Sequence, residues 1–302
     1  NPNPDPDQVQ LLYEKQKASP PVVRLAPPVA GNIMWARQLM RRIEEPMLKF
    51  QANQNLMTTK ESKKIVKTYN RIARTIIEFE TLWHIAWTKS IEASKAGLQA
   101  TLIIRHPSNG KLYVNFDREI MQLIRESKCL MRMGIDVPES AKMVLLQEEK
   151  FKTYYNKLAY SLGQHESVVG RVLPVTKPLL QPHLQDMERK IQPGMVTLTW
   201  TSMNIDGYLH RIHSGLFRFG DLVDKIRDLV DNRIERNLKA VSKMLLVDLP
   251  NDESFQLDKF VLAQEKHVRE QAALMAAKNT EVEEAVEDLL ELIVAYPLEP
   301  GI

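Results

Sequence analysis

Apolar residues recur at intervals of three and four over most of this chain, and β-type runs are concentrated in one short stretch. Between Thr58 and about Lys95, Ile65, Tyr69, Ile72, Ile76, Phe79, Trp83 and Trp87 follow helical spacing. This predicts one long amphipathic helix with a deeply packed, aromatic-rich C-terminal half. Upstream, Ile33, Trp35 or Ala36, Leu39, Met40 and Ile43 mark a helix that follows Pro27, Pro28 and Gly31. Pro46 is expected to kink or end it, although Met47, Leu48 and Phe50 extend the apolar face. A short helix is expected from about Val9 to Ala18. It follows the proline-punctuated residues 1–8 and is broken off at Ser19-Pro20-Pro21.

Gly97 closes the long helix, and Leu98–Arg105 and Lys111–Phe116 are β-type runs around Pro107-Ser108-Asn109-Gly110. Asn-Gly supplies the positive dihedrals of a tight hairpin turn. Asp117 then caps a helix to Met133, which Gly134 stops. Pro138 and Glu139 open the next, running to about Leu162. Prolines at 174, 178 and 182 predict a helix over 166–190 with an irregular first half. Pro193-Gly194 is expected to turn the chain into Met195–Trp200, read as coil. A helix begins near Asn204, and Leu222, Ile226, Leu229, Ile234, Leu238, Val241 and Leu245 form a near-heptad bundle seam. Another helix starts at Asp252 or Ser254 and reaches about Lys278. Thr280 with Glu283 reads as a capping box that restarts a last helix over 281–295.

The expected fold is all-α: an elongated succession of helical bundles with one small β-hairpin at about 98–116. Its parts are a linker and short helix over 1–26, a bundle with inserted hairpin over 27–165, and a second bundle over 166–302. Composition agrees, with 11 glycines and 44% hydrophobic residues in 302. The chain starts without methionine and stops just after a linker-like Tyr296-Pro297-Leu298-Glu299-Pro300, as a fragment of a longer chain would.

Charge changes the picture only locally. The 41 basic and 38 acidic residues nearly cancel, so no global surface for nucleic acid or membrane is expected. Lys60, Lys63 or Lys64, Lys67, Arg71 and Arg74 nevertheless line one side of the long helix. They could dock acidic protein, phosphate or lipid head groups, or simply be the solvated back of that helix. Glu281, Glu283, Glu284, Glu287, Asp288 and Glu291 carry the opposite bias beside the apolar Val282, Val286, Leu289, Leu290 and Ile293. This too is read as an amphipathic helix. The single Cys129 excludes an internal disulfide and is read as a small buried apolar residue in a reducing compartment. There is no run of about 18 apolar residues and no signal segment at the start.

Motifs with known chemistry are missing. There is no phosphate-binding Gly-x-x-x-x-Gly-Lys-Ser/Thr loop, Gly-x-Gly-x-x-Gly, His-Glu-x-x-His, Cys-x-x-Cys or Gly-x-Ser-x-Gly. The closest approach to a metal set is Asp206, His210 and His213, spaced to share one helical face. No residue is nominated as catalytic, and no cofactor is expected.

Beyond its amphipathic physics, the stretch from Pro27 to Met47 is unusually specific in wording. It resembles dynein heavy chains, where a Pro-Pro-Val-Ala/Ser-Gly sequence before an Ile-x-Trp-Ala helix opens part of the N-terminal stem. The resemblance returns in order in Gly110-Lys111-Leu112-Tyr113-Val114-Asn115-Phe116-Asp117, leading into Ile120, Leu123, Ile124 and Glu126. Met133-Gly134-Ile135, Val137-Pro138, Gln147-Glu148-Glu149-Lys150-Phe151, Tyr154-Tyr155-Asn156 and Pro193-Gly194 with Leu198-Thr199-Trp200 continue it, so that it covers roughly residues 9–300. Arg41-Arg42-Ile43-Glu44-Glu45-Pro46-Met47 and the compact Arg105–Lys111 turn look axonemal, nearest to outer-arm heavy chains.

The resemblance implies a helical stem in a motor subunit of cytoplasm, cytoskeleton and ciliary or flagellar axoneme. The implied partners are intermediate chains, light chains, other heavy chains and docking factors on doublet microtubules. Nucleotide-hydrolysing sites would lie further along the parent chain. Two readings from other classes stand beside it: an all-helical enzyme using His210 and His213, and a generic helical tether that binds acidic surfaces through Lys60–Arg74.

Overall fold

A computed structural model describes residues 6–22, 26–247 and 256–298. The architecture is all-α with one small two-stranded hairpin among these residues. The helices are α1 (Pro6–Gln16), α2 (Pro28–Gln51), α3 (Gln54–Met57), α4 (Lys60–Ala96), α5 (Arg118–Arg132), α6 (Glu139–Leu146) and α7 (Glu148–Arg171). They are followed by α8 (Lys177–Val196), α9 (Ile205–Asp228), α10 (Arg236–Val241) and α11 (Leu257–Ala295). Strands β1 (Ile103–Arg105) and β2 (Leu112–Val114) pair antiparallel, with Ile104 opposite Tyr113. The chain divides into two compact units. One takes the residues up to Leu102 with Asn115–Tyr155 and Thr199–Thr201; the other takes Ile103–Val114, Asn156–Leu198 and the residues from Ser202 on.

In the first unit, α1, α2 and α4 bury their stripes on one another. Val9, Tyr13, Trp35, Leu39, Ile43, Ile72 and Ile76 form the core, with Phe79 packed against it. Tyr13 stacks on Trp35 at 5.9 Å between centroids, and Phe79 meets Trp35 edge-on at 5.5 Å. Pro46 neither ends α2 nor interrupts its apolar face, because Ile43 and Met47 are buried on either side of it. Burial there outweighs the one intrahelical bond that proline forfeits. Thr59 caps α4 by accepting the Ser62 N–H at 3.1 Å. The C-terminal half of α4 is only partly the packed aromatic rod that its periodicity predicts. Trp87 is buried but Phe79 and Trp83 are only half-buried, Ile65 at the other end of the stripe is exposed, and Leu82 and Ile85, off the stripe, face outward.

The start of α2 is satisfied from far away in sequence. Pro27 stands at its N-cap without a side-chain cap, and the first turn holds no acid. The Val29 and Ala30 N–H groups instead donate to the Glu126 carboxylate on α5, each at 2.8 Å. Arg37 adds a second tie, donating from Nε and Nη2 to Glu80 at 3.0 and 2.7 Å and from Nη1 to the Met133 carbonyl at 2.6 Å. Trp200, almost fully buried, meets Phe116 edge-on at 4.6 Å and donates from Nε1 to the Asn115 carbonyl at 2.7 Å.

Several local expectations are corrected. The hairpin strands are shorter than the β-type runs, since Gly97–Gln99 is a 3-10 turn. The turn is a four-residue loop closed by His106 and Lys111, in which Gly110 alone takes a positive φ, at 67°. The helix expected from Pro138 to about Leu162 is two helices broken at Gln147, and the second runs on to Arg171. The irregularity expected over 166–190 shrinks to the turn between Arg171 and Lys177. Pro178 sits in the first turn of α8, where its missing N–H is harmless. Pro193 and Gly194 lie inside α8 instead of turning the chain, and Thr199 forms an isolated bridge with Thr101.

In the second unit, α8 and α9 pack closely where Gly194 faces Tyr208. The Tyr208 hydroxyl, buried and pushed above the ordinary phenol range by that burial, donates to the Ile191 carbonyl at 2.8 Å. A Cβ at position 194 would press into the Tyr208 hydroxyl and ring and stand 3.0 Å from the Ile103 side chain. Gly194→Val is therefore expected to cost about 2 kcal/mol, overpacking outweighing any gain in helix propensity. A chemical-denaturation midpoint equal to that of the wild type would show that the contact is not tight.

Of the seam predicted from Leu222, Leu222 and Ile226 are buried, while Leu229, Ile234 and Val241 are only half-buried. Residues Leu229–Glu235 form a π-helical segment between α9 and α10. The wider π turn shifts the phase of everything after it. Leu238 becomes half exposed, Leu245 lies largely in solvent, and Asn237 is buried in their stead. The capping box at Thr280 does not form, because α11 is one uninterrupted helix. The Thr280 hydroxyl donates back to the Ala276 carbonyl at 3.2 Å instead. Its expected start at Asp252 or Ser254 lies outside the described residues. After α11, Tyr296 is tied down: its carbonyl meets His183 at 2.9 Å, and its hydroxyl bonds the Asp221 carboxylate.

Candidate functional site

Helix α4 presents the six bases that the sequence singles out. Lys60, Lys63, Lys64, Lys67, Arg71 and Arg74 are all exposed, on the side away from Ile72, Ala73 and Ile76. None makes an ion pair with another described residue; Arg71 donates to Gln10 at 2.9 Å. Elsewhere in the first unit half-buried lysines do find acids, as Lys128 does with Glu148 at 2.5 Å and Lys95 with Glu92 at 3.2 Å. The stripe is thus a local excess of positive charge within a nearly neutral chain, and it can attract anionic surfaces within about a Debye length, some 8 Å.

The acidic end of α11 is arranged differently. Ala285 and Leu289 are buried within the second unit, while Glu283, Glu284, Glu287 and Glu291 face solvent. Part of this charge is already engaged, Asp288 with Arg233 and Glu281 with Lys278 at 2.9 Å. Val286, Leu290 and Val294 lie exposed among the remaining carboxylates.

Asp206, His210 and His213 do share α9, and each is exposed. Asp206 is held by Lys157 at 3.4 Å, and the His213 ring lies 6.0 Å from that of Tyr160. His213 borders an open groove of about 250 Å³ with Tyr160, Arg171 and Asp224. Among the described residues no three His, Cys, Asp or Glu side chains converge as a metal-binding group. Cys129 is half-buried on α5. No helix among the described residues is long and apolar enough to cross a membrane.

The residue that sequence reading missed is Glu126. Glu126 is 1% exposed, and two backbone N–H groups at the start of α2 donate to its carboxylate. Burial raises its pKa above the ordinary carboxylate value, against the pull of the Ala30 and Val29 N–H groups. The sequence signal lay in the absence of any capping side chain before Val29 and Ala30, which leaves donors that must find an acceptor elsewhere.

The comparisons with known proteins agree with one another. The sequence model of the family described as "Dynein heavy chain, N-terminal region 1" matches residues 3–208. The chain is 58% identical over 295 residues to "Dynein gamma chain, flagellar outer arm" of Chlamydomonas reinhardtii, covering 98% of this chain and 6% of that protein. It is 37% identical over 296 residues to "Dynein axonemal heavy chain 5" of Mus musculus, again 98% of this chain and 6% of that protein. To "Dynein beta chain, ciliary" of Heliocidaris crassispina it is 27% identical over 256 residues, covering 80% of this chain and 6% of that one. The chain spans only about 6% of the length of these relatives. With the family model matching residues 3–208 and a relative aligning along 98% of the chain, the chain belongs to the dynein heavy chain family, in the N-terminal region of those chains.

Proposed function

We propose that this chain is a non-catalytic stretch of the stem of an axonemal dynein heavy chain of outer-arm type. In this role it scaffolds assembly with intermediate chains, light chains and other heavy chains, and helps to anchor a motor to the doublet microtubule of a cilium or flagellum. The observation that carries the reading is the 58% identity along 98% of the chain to a flagellar outer-arm heavy chain. The packed helices fit a mechanical role. Stripes buried in each unit resist deformation, while exposed faces of α4, α10 and α11 stay available to other subunits. The parent protein would be a microtubule-stimulated ATPase whose nucleotide sites lie outside this stretch, and no cofactor is assigned to it here.

Cross-linking mass spectrometry on the intact outer-arm complex tests the scaffold. Lysines of α4 and α11 are expected to cross-link to intermediate-chain or heavy-chain partners; their complete failure to reach another subunit would overturn it. The purified chain is expected to show no ATP turnover, and turnover that co-purifies with it would refute the non-catalytic assignment.

A further inference from the structure

The outer face of α4 changes character along its length. Lys60, Lys64, Lys67, Arg71 and Arg74 follow one another at alternating steps of four and three, so they form a single line of neighbours on the helix surface. The same line continues through Glu78 to Leu82 and Ile85. Leu82 is 67% and Ile85 44% exposed; Ile77, three residues after Arg74 and on the flank of the line, is 54% exposed. A helix face that needs only water is polar throughout, and single exposed apolar residues are unremarkable. Here Leu82 and Ile85 lie side by side and Ile77 is exposed on the flank, all within about two turns and directly after a cationic run that makes no ion pair with a described residue.

Resting on the scaffold reading above, we infer that this face docks an amphipathic helix of a partner protein. The partner helix carries carboxylates opposite Lys60–Arg74 and apolar side chains opposite Leu82 and Ile85, with Ile77 at the flank. Charge complementarity selects an acidic partner, since the bases have few acids of their own beside them. The consecutive order of charge and apolar surface selects a protein over a lipid surface. A helix lying on a membrane places apolar side chains beneath its bases along the same stretch. Beneath the bases of α4, Ile72 and Ile76 are instead committed to the core of the first unit. From Lys60 to Ile85 the face runs about 38 Å at 1.5 Å per residue, enough for a partner helix of roughly 25 residues.

The test uses the intact heavy chain purified with its associated subunits. One variant combines Lys64→Glu with Lys67→Glu, and a second combines Leu82→Gln with Ile85→Gln; both keep good helix formers at exposed positions. Each is expected to lower the occupancy of the same subunit about tenfold. The wild-type contact should also weaken as salt is raised. Retention of every subunit by both variants overturns the docking face while leaving the scaffold reading intact. Release of different subunits by the two variants overturns the single continuous site. Wild-type binding to phosphatidylserine vesicles, lost in both variants with no subunit released, assigns the face to lipid and overturns it as well. Should either variant fail to fold by circular dichroism, a photo-crosslinking residue at Leu82 in the otherwise unaltered chain decides. Cross-linking to an acidic amphipathic segment supports the site, and cross-linking to a segment without acids, or to nothing, overturns it.

Discussion

Glu126→Ala is expected to destabilise the first unit by about 3 kcal/mol, since it strands two N–H donors at the start of α2 and removes the only side chain shown to accept them. Glu126→Gln keeps the shape and a single carbonyl acceptor, so it should cost less and, lacking a titrating group, serve as the pH reference. Burial raises the Glu126 pKa. The folded chain therefore holds the proton more tightly than the unfolded chain, and that contribution is full below the ordinary carboxylate value. It is lost as pH rises through the raised value. The stability of the wild type minus that of Glu126→Gln is accordingly expected to fall across that window and then level off. Urea denaturation of both chains from about pH 4 to about pH 8 reads this difference. A difference that rises with pH would show that the Val29 and Ala30 N–H groups dominate and hold the carboxylate ionised.

Trp200→Ala is expected to cost about 4 kcal/mol. The side chain is 1% exposed, lies edge-on to Phe116 and Phe151, and satisfies the Asn115 carbonyl. Removal leaves both a cavity and a half-buried acceptor without its donor. Trp200→Phe retains much of the ring but loses the N–H, and should cost about 1–2 kcal/mol. Loss of near-ultraviolet dichroism together with a lower denaturation midpoint would report the damage. A midpoint unchanged in Trp200→Ala would mean that Thr199–Thr201 does not belong to the first unit's core.

How far the sequence can be read depends on the range of the interaction. The stripes of α2 and α4, the Thr59 and Asp117 caps and the stop at Gly134 are local, set within one or two turns by spacing and by donors that neighbouring side chains can reach. The same local rules misjudged Pro193 and Thr280, and at Pro46 they left the end of the helix open although Met47 already extended the apolar face. Propensity counts the lost bond or the available hydroxyl, while tertiary burial of Met47 after Pro46, of Ile191 before Pro193 and of Ala285 after Thr280 holds each helix together. The candidate surface shows the same division. The basic stripe was legible as a spacing, but its continuation into Leu82 and Ile85 was not, because helical periodicity had assigned that aromatic-rich half to the core.

By itself the sequence determined the all-α class, the long fourth helix, the hairpin's place and the dynein heavy chain resemblance, since helix period, turn chemistry and family wording are all properties of neighbouring residues. Only the tertiary structure decided that Glu126, almost a hundred positions away, completes the first turn of α2, that Trp200 closes the core of the first unit, and that a π-helical segment turns Leu238 and Leu245 out of their seam. The physical reason is common to all three: a buried donor, an aromatic ring or a helix face is satisfied by whatever packs against it, and which group that is depends on the path of the whole chain.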